Sequence, residues 1–290
     1  MSVTDTSDAA TEAAVRRSGL GGASARSLLL TVLGEFVYPR GTEVWTSTLL
    51  EALGTLGIEE KSARQAIARA SAEGLLDSTR SGRRTLWRLT PAGTDLLREG
   101  TARIYGFLAD ERDWDGLWLL LSVAVPETQR KLRHRLRTQL TWVGMGSPAP
   151  GLWVVPDAGA VDEVEDVLDS LGLRSTAFMW TGQWVEMGER EALIDAAWKL
   201  DEVAETYNDF IDAFTPEASL TPDEAFAAQV HLVQAWRRFP FLDPGLPQRL
   251  LPGDWPGPRA VETFRECHAT WHESAQAAWD KWEPAEATPG

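Results

Sequence analysis

The stretch EEKSARQAIARASAEGLLDSTRSGRRTLWRLT, residues 59–90, decides the fold of the N-terminal part of this chain. Its first half, residues 59–73, has the spacing of an amphipathic helix. One side of that helix carries small and apolar residues: Ala63, Ala66, Ile67 and Ala70. The opposite side carries polar residues: Lys61, Arg64, Gln65 and Arg69. We predict a helix that packs closely against its neighbours and presents side chains able to pair with guanine and adenine in the major groove.

The second half of the stretch, residues 75–90, predicts a two-stranded hairpin. Apolar residues flank the turn-forming pair Ser81-Gly82, and three arginines crowd the tip: Arg80, Arg83 and Arg84. Buried strands do not collect charge in this way, whereas a hairpin laid along a phosphate backbone does. The helix and the basic hairpin together indicate the winged form of the helix-turn-helix. The alternative is a small helix-and-hairpin domain with a solvated basic edge.

The distribution of charge supports the first interpretation. The chain has 290 residues and a formal net charge of −15, which argues against a protein that simply coats nucleic acid. Residues 61–103 nevertheless hold nine basic and four acidic residues. Such segregation is typical of a DNA-reading module joined to acidic domains. We therefore predict eight side chains in contact with DNA: Lys61, Ser62, Arg64, Gln65, Arg69, Arg80, Arg83 and Arg84.

Residues 24–107 are predicted to form one domain around this stretch. Ser24 is a candidate N-cap for the first helix, and the short apolar pair Val44-Trp45 is a candidate strand beside the hairpin. The other helices of the domain are predicted at residues 24–37, 47–56 and 91–104. The last of these is a candidate coupling or dimer element.

The next region, residues 108–188, changes to alternating strands and helices. Residues 114–125 contain a nearly continuous apolar run, which is typical of a strand buried on both faces. The elements predicted after it are a helix at 126–142, a strand at 151–155, a helix at 161–171, and strands at 176–180 and 184–187. This order is that of a ferredoxin-like α/β domain.

Residues 189–284 predict a third, helical domain. Its helices are expected at residues 190–214, 222–239 and 259–282. Residues 1–23 and 285–290 are predicted to be disordered tails. The fold class is therefore α+β with several domains. No signal peptide and no apolar segment of membrane-spanning length is present, so we expect a cytoplasmic protein without a membrane partner.

Between residues 27 and 271 the chain resembles the PaaX family of bacterial transcriptional repressors, first associated with phenylacetate breakdown genes. The stretches that carry the resemblance are SLLLTVLGEFVYPRGTEVW, SGRRTLWRLTPAG, EGTARIYGF, WDGLW, PAPGLWVVP and FLDPGLPQRLLPGDWPG. The resemblance implies a winged helix, a central ferredoxin-like domain and a helical C-terminal domain. It also implies a homodimer whose repression is relieved by an aryl- or acyl-coenzyme A thioester, with phenylacetyl-CoA in the founding case.

A second basic cluster, QRKLRHRLR at residues 129–137, admits three interpretations. It is a solvated helix face balanced by acids of a partner subunit, a cradle for the phosphates of a coenzyme A ester, or an extra contact with DNA phosphates. An aryl effector also favours an aromatic wall beside a basic group. We place the effector pocket between the central and C-terminal domains, with these candidate residues: Arg133, Arg137, Trp142, Trp180 and Arg237.

Other chemistry finds little support in the sequence. His268 and His272 have the spacing of two zinc ligands on one helix face, but no third ligand lies nearby, and a partly exposed helix explains them better. The single cysteine, Cys267, excludes an intrachain disulfide. There is no Gly-x-Ser-x-Gly elbow, no phosphate-binding loop and no aspartate in LLLSVAVPE to hold a catalytic metal. We predict neither an enzyme nor a cofactor.

The function predicted from these observations is a dimeric, sequence-specific repressor of a catabolic gene set. Its partners would be a palindromic double-stranded operator, with half-sites ~34 Å or a multiple apart, and an acyl-CoA-type effector. Two alternatives remain open. One is a protein-interaction adaptor that uses the winged helix as a docking surface, and the other is a regulator without a small-molecule effector.

Overall fold

The computed structural model describes residues 23–107, 114–185 and 187–284. The chain has a mixed α/β fold with two small antiparallel sheets and divides into two compact units. The described part of the first unit is residues 23–107, 207–238 and 258–284, and that of the second is residues 114–206, without Glu186, and 239–257. Of the predicted tails, all but Ala23 lie outside the described residues. Among the described helices, none combines the length and the apolar character needed to cross a membrane.

The first unit begins with four helices and three short strands. Its elements are α1 (Ala25–Val32), β1 (Val44–Trp45), α2 (Thr46–Thr55), α3 (Glu60–Ala72), β2 (Leu76–Ser81), β3 (Arg84–Leu89) and α4 (Pro91–Gly106). Ser24 caps α1 as predicted, since its hydroxyl accepts a hydrogen bond from the backbone N–H of Ser27. A π-helical segment, Leu33–Val37, continues α1.

The three strands form a sheet in the order β1-β3-β2. Val44 pairs with Trp87 of β3, which confirms the predicted strand beside the hairpin. Ser81 pairs with Arg84, so Gly82 and Arg83 form the turn, one residue later than predicted. Gly82 has a φ of 61°, a conformation that glycine adopts without a steric penalty.

The small residues on the inner side of α3 allow it to pack against α1 and α2. Ala63 and Ala70 have no exposed surface, and Ala66 and Ile67 are buried with them. A glycine, Gly74 with a φ of 76°, follows the helix. The start of α4 lies close to the residues that follow α3, because a Cβ atom on Gly93 would collide with the Leu75 carbonyl oxygen.

Helices from the C-terminal part of the chain complete the first unit. They are α9 (Pro222–Trp236) and α11 (Gly257–Trp282). The later half of α8 (Leu200–Ala213) also belongs to this unit. A capping box of Thr221 and Glu224 begins α9. The ring of Phe36 lies 4.8 Å from that of Phe226 and stacks on Trp279 at 5.2 Å. The N-terminal and C-terminal segments therefore share one aromatic core.

The second unit is built on a four-stranded antiparallel sheet. Its elements are β4 (Leu117–Val123), α5 (Arg130–Trp142), β5 (Gly146–Ala149), β6 (Leu152–Val155), α6 (Val161–Leu171), β7 (Ala177–Gln183), α7 (Arg190–Trp198) and the short α10 (Phe239–Leu242). The strand order is β5-β6-β4-β7. Leu120 of β4 pairs with Val154 on one side and with Trp180 on the other.

Both faces of β4 are covered, as the apolar run predicted. On one face Leu119 and Leu121 pack with Leu136 of α5 and Val164 of α6. On the other face Trp118 of β4 belongs to a second cluster of buried side chains. The other members of this cluster are Trp114, Val154, Ile194, Leu200, Leu246 and Leu250.

Two predicted elements of this unit were misplaced. The helix predicted from residue 126 begins at Arg130, because Pro126 starts a turn in which its carbonyl accepts from the Gln129 N–H at 3.0 Å. The fourth strand is β5 rather than residues 184–187. Trp184, Val185 and Met187 belong to no strand, and Glu186 lies outside the described residues.

The helix predicted over residues 190–214 is two helices, α7 and α8. They separate at Lys199, which has a φ of 49°. The break coincides with close packing of the preceding residue on β5: Trp198 donates from its indole nitrogen to the Gly144 carbonyl at 3.0 Å. A Cβ atom on Gly146 would lie 2.5 Å from the Trp198 ring, so only glycine permits this approach.

Candidate nucleic-acid interface

The outer side of α3 presents all five of its predicted DNA contacts to solvent: Lys61, Ser62, Arg64, Gln65 and Arg69. The buried alanines on the inner side fix this orientation, since they seat the helix on α1 and α2. A helix fixed along one side and polar along the other has the form needed to enter a major groove.

The cations of this surface hold only weak partners in the protein. Arg64 pairs with Glu60 one turn earlier at 2.7 Å, with both side chains more than half exposed. Exposed pairs of this spacing contribute ~0.3–0.5 kcal/mol, so Arg64 is readily released to another anion. Lys61 and Arg69 form no ion pair with any described residue.

The C-terminal end of α3 is held by Arg26, which sequence reasoning had not assigned a role. The Arg26 Nε donates to Glu73 at 3.2 Å. This hydrogen bond, together with the charges of Arg26 and Arg69, lowers the pKa of the Glu73 carboxyl. Arg26 thus keeps an acidic group at the end of the polar surface paired.

Hydrogen bonds with Thr46 of α2 hold β3 in place, while the arginines at the tip of the hairpin are exposed. Trp87 donates from its indole nitrogen to the Thr46 hydroxyl at 2.8 Å, and that hydroxyl donates to the Thr85 carbonyl at 3.1 Å. Arg80, Arg83 and Arg84 are exposed, and within the described part of the chain they form no ion pair. The nearby Arg88 pairs with Asp77 at 3.3 Å, so the hairpin arginines without an ion pair among the described residues are those at the tip. Of these, Arg84 places its guanidinium over the Trp45 ring, 5.8 Å from the ring centroid.

We define the α3–hairpin surface as the eight predicted DNA contacts, which lie exposed on α3, β2, the turn and β3 of the first unit. Family comparisons bear on what this surface does. Models of PaaX-like proteins match three parts of the chain: the PaaX-like protein model at residues 24–93, the central Cas2-like domain at 111–194 and the C-terminal domain at 198–281. The chain belongs to the PaaX family. The resemblance found in the sequence is thereby confirmed.

One relative and one solved structure are similar to this chain. The transcriptional repressor PaaX of Escherichia coli (strain K12) is 34% identical over 245 residues, which cover 81% of this chain and 76% of that protein. The uncharacterized protein Rv0674 from Mycobacterium tuberculosis has a solved structure that matches with a TM-score of 0.63 at 23% identity. That match covers 89% of this chain and 100% of the other, and it shows a shared fold. Since the PaaX family is one of transcriptional repressors, the prediction that this chain is not an enzyme is confirmed.

A polar cluster around a buried carboxylate lies within the same unit and was not found from the sequence. Its centre is Glu35 in the π-helical segment, only 8% exposed. Tyr105 of α4 donates to this carboxylate at 2.6 Å and Gln229 of α9 donates at 2.9 Å. His268 of α11 contacts it through Nε2 at 3.0 Å. We call these four residues the Glu35 cluster; an acid inside the apolar stretch SLLLTVLGEFVY was the signal that could have revealed it.

The electrostatics of the Glu35 cluster follow from its burial. Burial raises the pKa of the Glu35 carboxyl, but the contacts with His268, Tyr105 and Gln229 outweigh burial, and the net pKa is lowered. His268 therefore serves as a partner of a buried carboxylate. Among the described residues no group of three or more His, Cys, Asp or Glu side chains has the arrangement of a metal site.

The predicted effector residues are divided between the two units. Arg133, Arg137, Trp142 and Trp180 lie in the second unit and are exposed, Trp142 at 62%. The Trp142 ring lies 4.9 Å from Phe241. Arg237 lies in the first unit. Burial lowers the pKa of its guanidinium, and the nearby charge of Arg26 lowers it further. Their role in effector binding stays a prediction.

Proposed function

We propose that this protein is a sequence-specific DNA-binding repressor and that residues 24–107 form a winged helix-turn-helix. The observation that carries the proposal is the α3–hairpin surface: eight polar or cationic side chains, all exposed, on one helix and the hairpin that follows it. The short connection between α2 and α3 supports a helix-turn-helix. In this proposal α3 enters the major groove and the tip arginines hold the adjoining phosphates.

The repressor acts as a homodimer on a palindromic operator. Two-fold symmetry of the protein requires two half-sites, spaced ~34 Å or a multiple apart so that both copies of α3 meet the same face of the double helix. Membership in a family of transcriptional repressors supports this arrangement.

We also propose that residues 108–188 form a ferredoxin-like domain and that residues 189–284 form a helical C-terminal domain. The chain order strand, helix, strand, strand, helix, strand from β4 to β7 supports it, as does the match to a central Cas2-like domain.

The signal that releases the operator is proposed to be an aryl- or acyl-CoA ester, with phenylacetyl-CoA as the first candidate, and the genes controlled are those of phenylacetate catabolism. The exposed cations of α5, Arg133 and Arg137 among them, suit the ester's phosphates, while Trp142, Trp180 and Arg237 are the other proposed contacts. Only a difference in affinity between the two states of the dimer can bring about release.

A gel shift with the protein's own promoter region, at several salt concentrations, tests the proposal. We expect specific binding that weakens steeply with salt, and release by phenylacetyl-CoA but not by free coenzyme A. Binding of all DNA fragments alike, or of none, would favour a protein-interaction adaptor. Specific binding that no acyl-CoA ester releases would identify a regulator without such an effector.

A further inference from the structure

The arginines at the tip of the hairpin do not all lie on the same face of the β1-β3-β2 sheet. Side chains alternate between the two faces along a strand, and residues that pair across an antiparallel ladder share a face. Arg80 pairs with Thr85, whereas Arg84 pairs with Ser81. Because Arg84 and Thr85 are consecutive, Arg80 and Arg84 leave the hairpin on opposite faces. Arg83 lies in the turn between the strands.

The burial of neighbouring residues shows which face each arginine occupies. The buried residues Val44 and Leu76 pair with Trp87 and Leu89 of β3, so their shared face turns toward the core of the first unit. Thr85 continues this alternation, which assigns its partner Arg80 to the inner face. Arg84 therefore belongs to the outer face. Both arginines are exposed, so exposure alone does not distinguish them, whereas their neighbours do.

The outer face gives Arg84 an aromatic neighbour. Trp45 of β1 pairs with Leu86, two residues after Arg84, so the tryptophan ring is within diagonal reach of the arginine. The guanidinium lies over this ring, 5.8 Å from its centroid, which is within the range of a cation–π contact. Arg88 of the same face is paired with Asp77 at 3.3 Å. Among the described residues, Arg80 makes neither an ion pair nor a cation–π contact.

The position of Trp45 is fixed by the elements around it. The residue belongs to β1 and is also the N-cap residue of α2. The next residue, Thr46, donates to the Thr85 carbonyl at 3.1 Å and accepts from the Trp87 indole nitrogen at 2.8 Å. The Trp45 side chain is half-buried. Its ring is therefore a fixed support for the Arg84 side chain.

Stacking on a ring is compatible with binding a phosphate. The flat face of a guanidinium covers the ring, while its N–H donors point outward from the edge of the plane. A free arginine loses rotamer freedom when it binds, and a side chain that is already stacked loses less of it. Arg84 should therefore bind a phosphate more strongly with Trp45 beneath it than without.

We propose that Trp45 is a positioning residue of the DNA interface, which holds Arg84 on the outer face of the hairpin for contact with a phosphate. Arg80, on the other face, makes its contact without this support. The inference rests on the proposed function, because it explains how one of the DNA contacts named there is prepared.

The test is a double-mutant cycle on the full-length protein, with titrations of a fragment of its own promoter region and of an unrelated fragment. Trp45→Leu removes the ring, and we expect it to weaken binding of both fragments by roughly two- to fivefold. In an Arg84→Ala background the same change should weaken binding no further, since the supported side chain is gone. Arg80→Ala is the matched control, and in that background Trp45→Leu should keep its full effect.

Trp45→Phe provides the conservative variant. It keeps an aromatic face, so it should bind both fragments nearly as tightly as wild type, and circular dichroism verifies that each variant is folded. Trp45→Val, a residue that strands favour, replaces Trp45→Leu if the leucine variant does not fold.

Two results would overturn the inference: a loss on Trp45→Leu that is as large in the Arg84→Ala background as in wild type, or a loss on Trp45→Phe as large as that on Trp45→Leu. Both leave the phosphate contact of the proposed function in place, provided that Arg84→Ala itself weakens binding. If Arg84→Ala binds both fragments as tightly as wild type, the phosphate contact itself is wrong, and the inference fails with it.

Discussion

The α3–hairpin surface and the Glu35 cluster belong to the same compact unit and use charged side chains in opposite ways. On the surface, arginines stand exposed with weak partners or with none among the described residues. In the cluster, one carboxylate is buried and contacted by side chains from three helices. The difference follows from solvation, because water compensates an exposed charge, whereas a buried one must be compensated by the protein.

Because of this difference, the two regions should contribute to different properties of the protein, DNA binding and stability. An exposed cation adds little to folding, so it remains available to a polyanion such as DNA. A buried carboxylate with satisfied partners holds segments together, and removing it leaves those partners unsatisfied. Substitutions in the two regions should therefore move two different measurements, stability for the Glu35 cluster and operator affinity for the α3–hairpin surface.

The largest effect is expected for Glu35→Ala. The change removes the acceptor that Tyr105, Gln229 and His268 share, and it leaves the fully buried Gln229 without this partner. We expect the free energy of unfolding to fall by ~3–5 kcal/mol. Urea denaturation followed by circular dichroism measures it. The control is Glu99→Ala, at an exposed position of α4, which should stay within ~0.5 kcal/mol of wild type. Equal midpoints for the two variants would show that the cluster holds nothing together.

Arg69→Ala should change operator affinity rather than stability. We expect specific operator binding to weaken by ~1–3 kcal/mol and the preference among bases to relax, because a base contact is lost. Stability should not change, since the side chain is exposed. Quantitative gel shifts on operator variants provide the readout, with Arg265→Ala on the exposed side of α11 as the matched control. Wild-type affinity in Arg69→Ala would contradict the docking of α3.

Arg84→Ala tests whether a residue of the α3–hairpin surface contacts a phosphate or a base. Its expected role is to hold a phosphate, so its loss should weaken binding to all sequences alike. The slope of log K against log salt should become shallower by about one. Titrations at several salt concentrations measure that slope for operator and unrelated DNA. A loss confined to the operator would instead place Arg84 against a base.

The smallest effect concerns pH. The pKa of Glu35 in the folded protein lies below its usual value of 4.5. Its ionised form therefore stabilises the fold above that pH, and the contribution is lost as the pH falls through the folded pKa. Because burial opposes the lowering, the expected change is modest. Urea midpoints of wild type and Glu35→Gln should converge as the pH falls from 6 to 3, and curves that stay parallel would contradict the assignment.

Some features of the fold could be predicted from the sequence pattern, and others could not. The outward cations of α3 followed from helical periodicity, and the pairing of Val44-Trp45 with the hairpin followed from short apolar runs and turn residues. The strand β5 was missed, because its sequence GSPA has neither alternation nor β-branched residues. The break at Lys199 was missed as well; it coincides with a close contact between Trp198 and Gly146, which are far apart in the chain.

By itself the sequence determined most of the local elements and the side of α3 that its charges occupy, because both depend on residue spacing within a few turns. Tertiary structure alone decided which distant groups meet. Glu35 finds Gln229 and His268 at separations of 194 and 233 residues, and no local periodicity records such a pairing. The physical reason is that a buried charge takes whichever partners the packed helices bring to it, and that packing is a property of the whole unit.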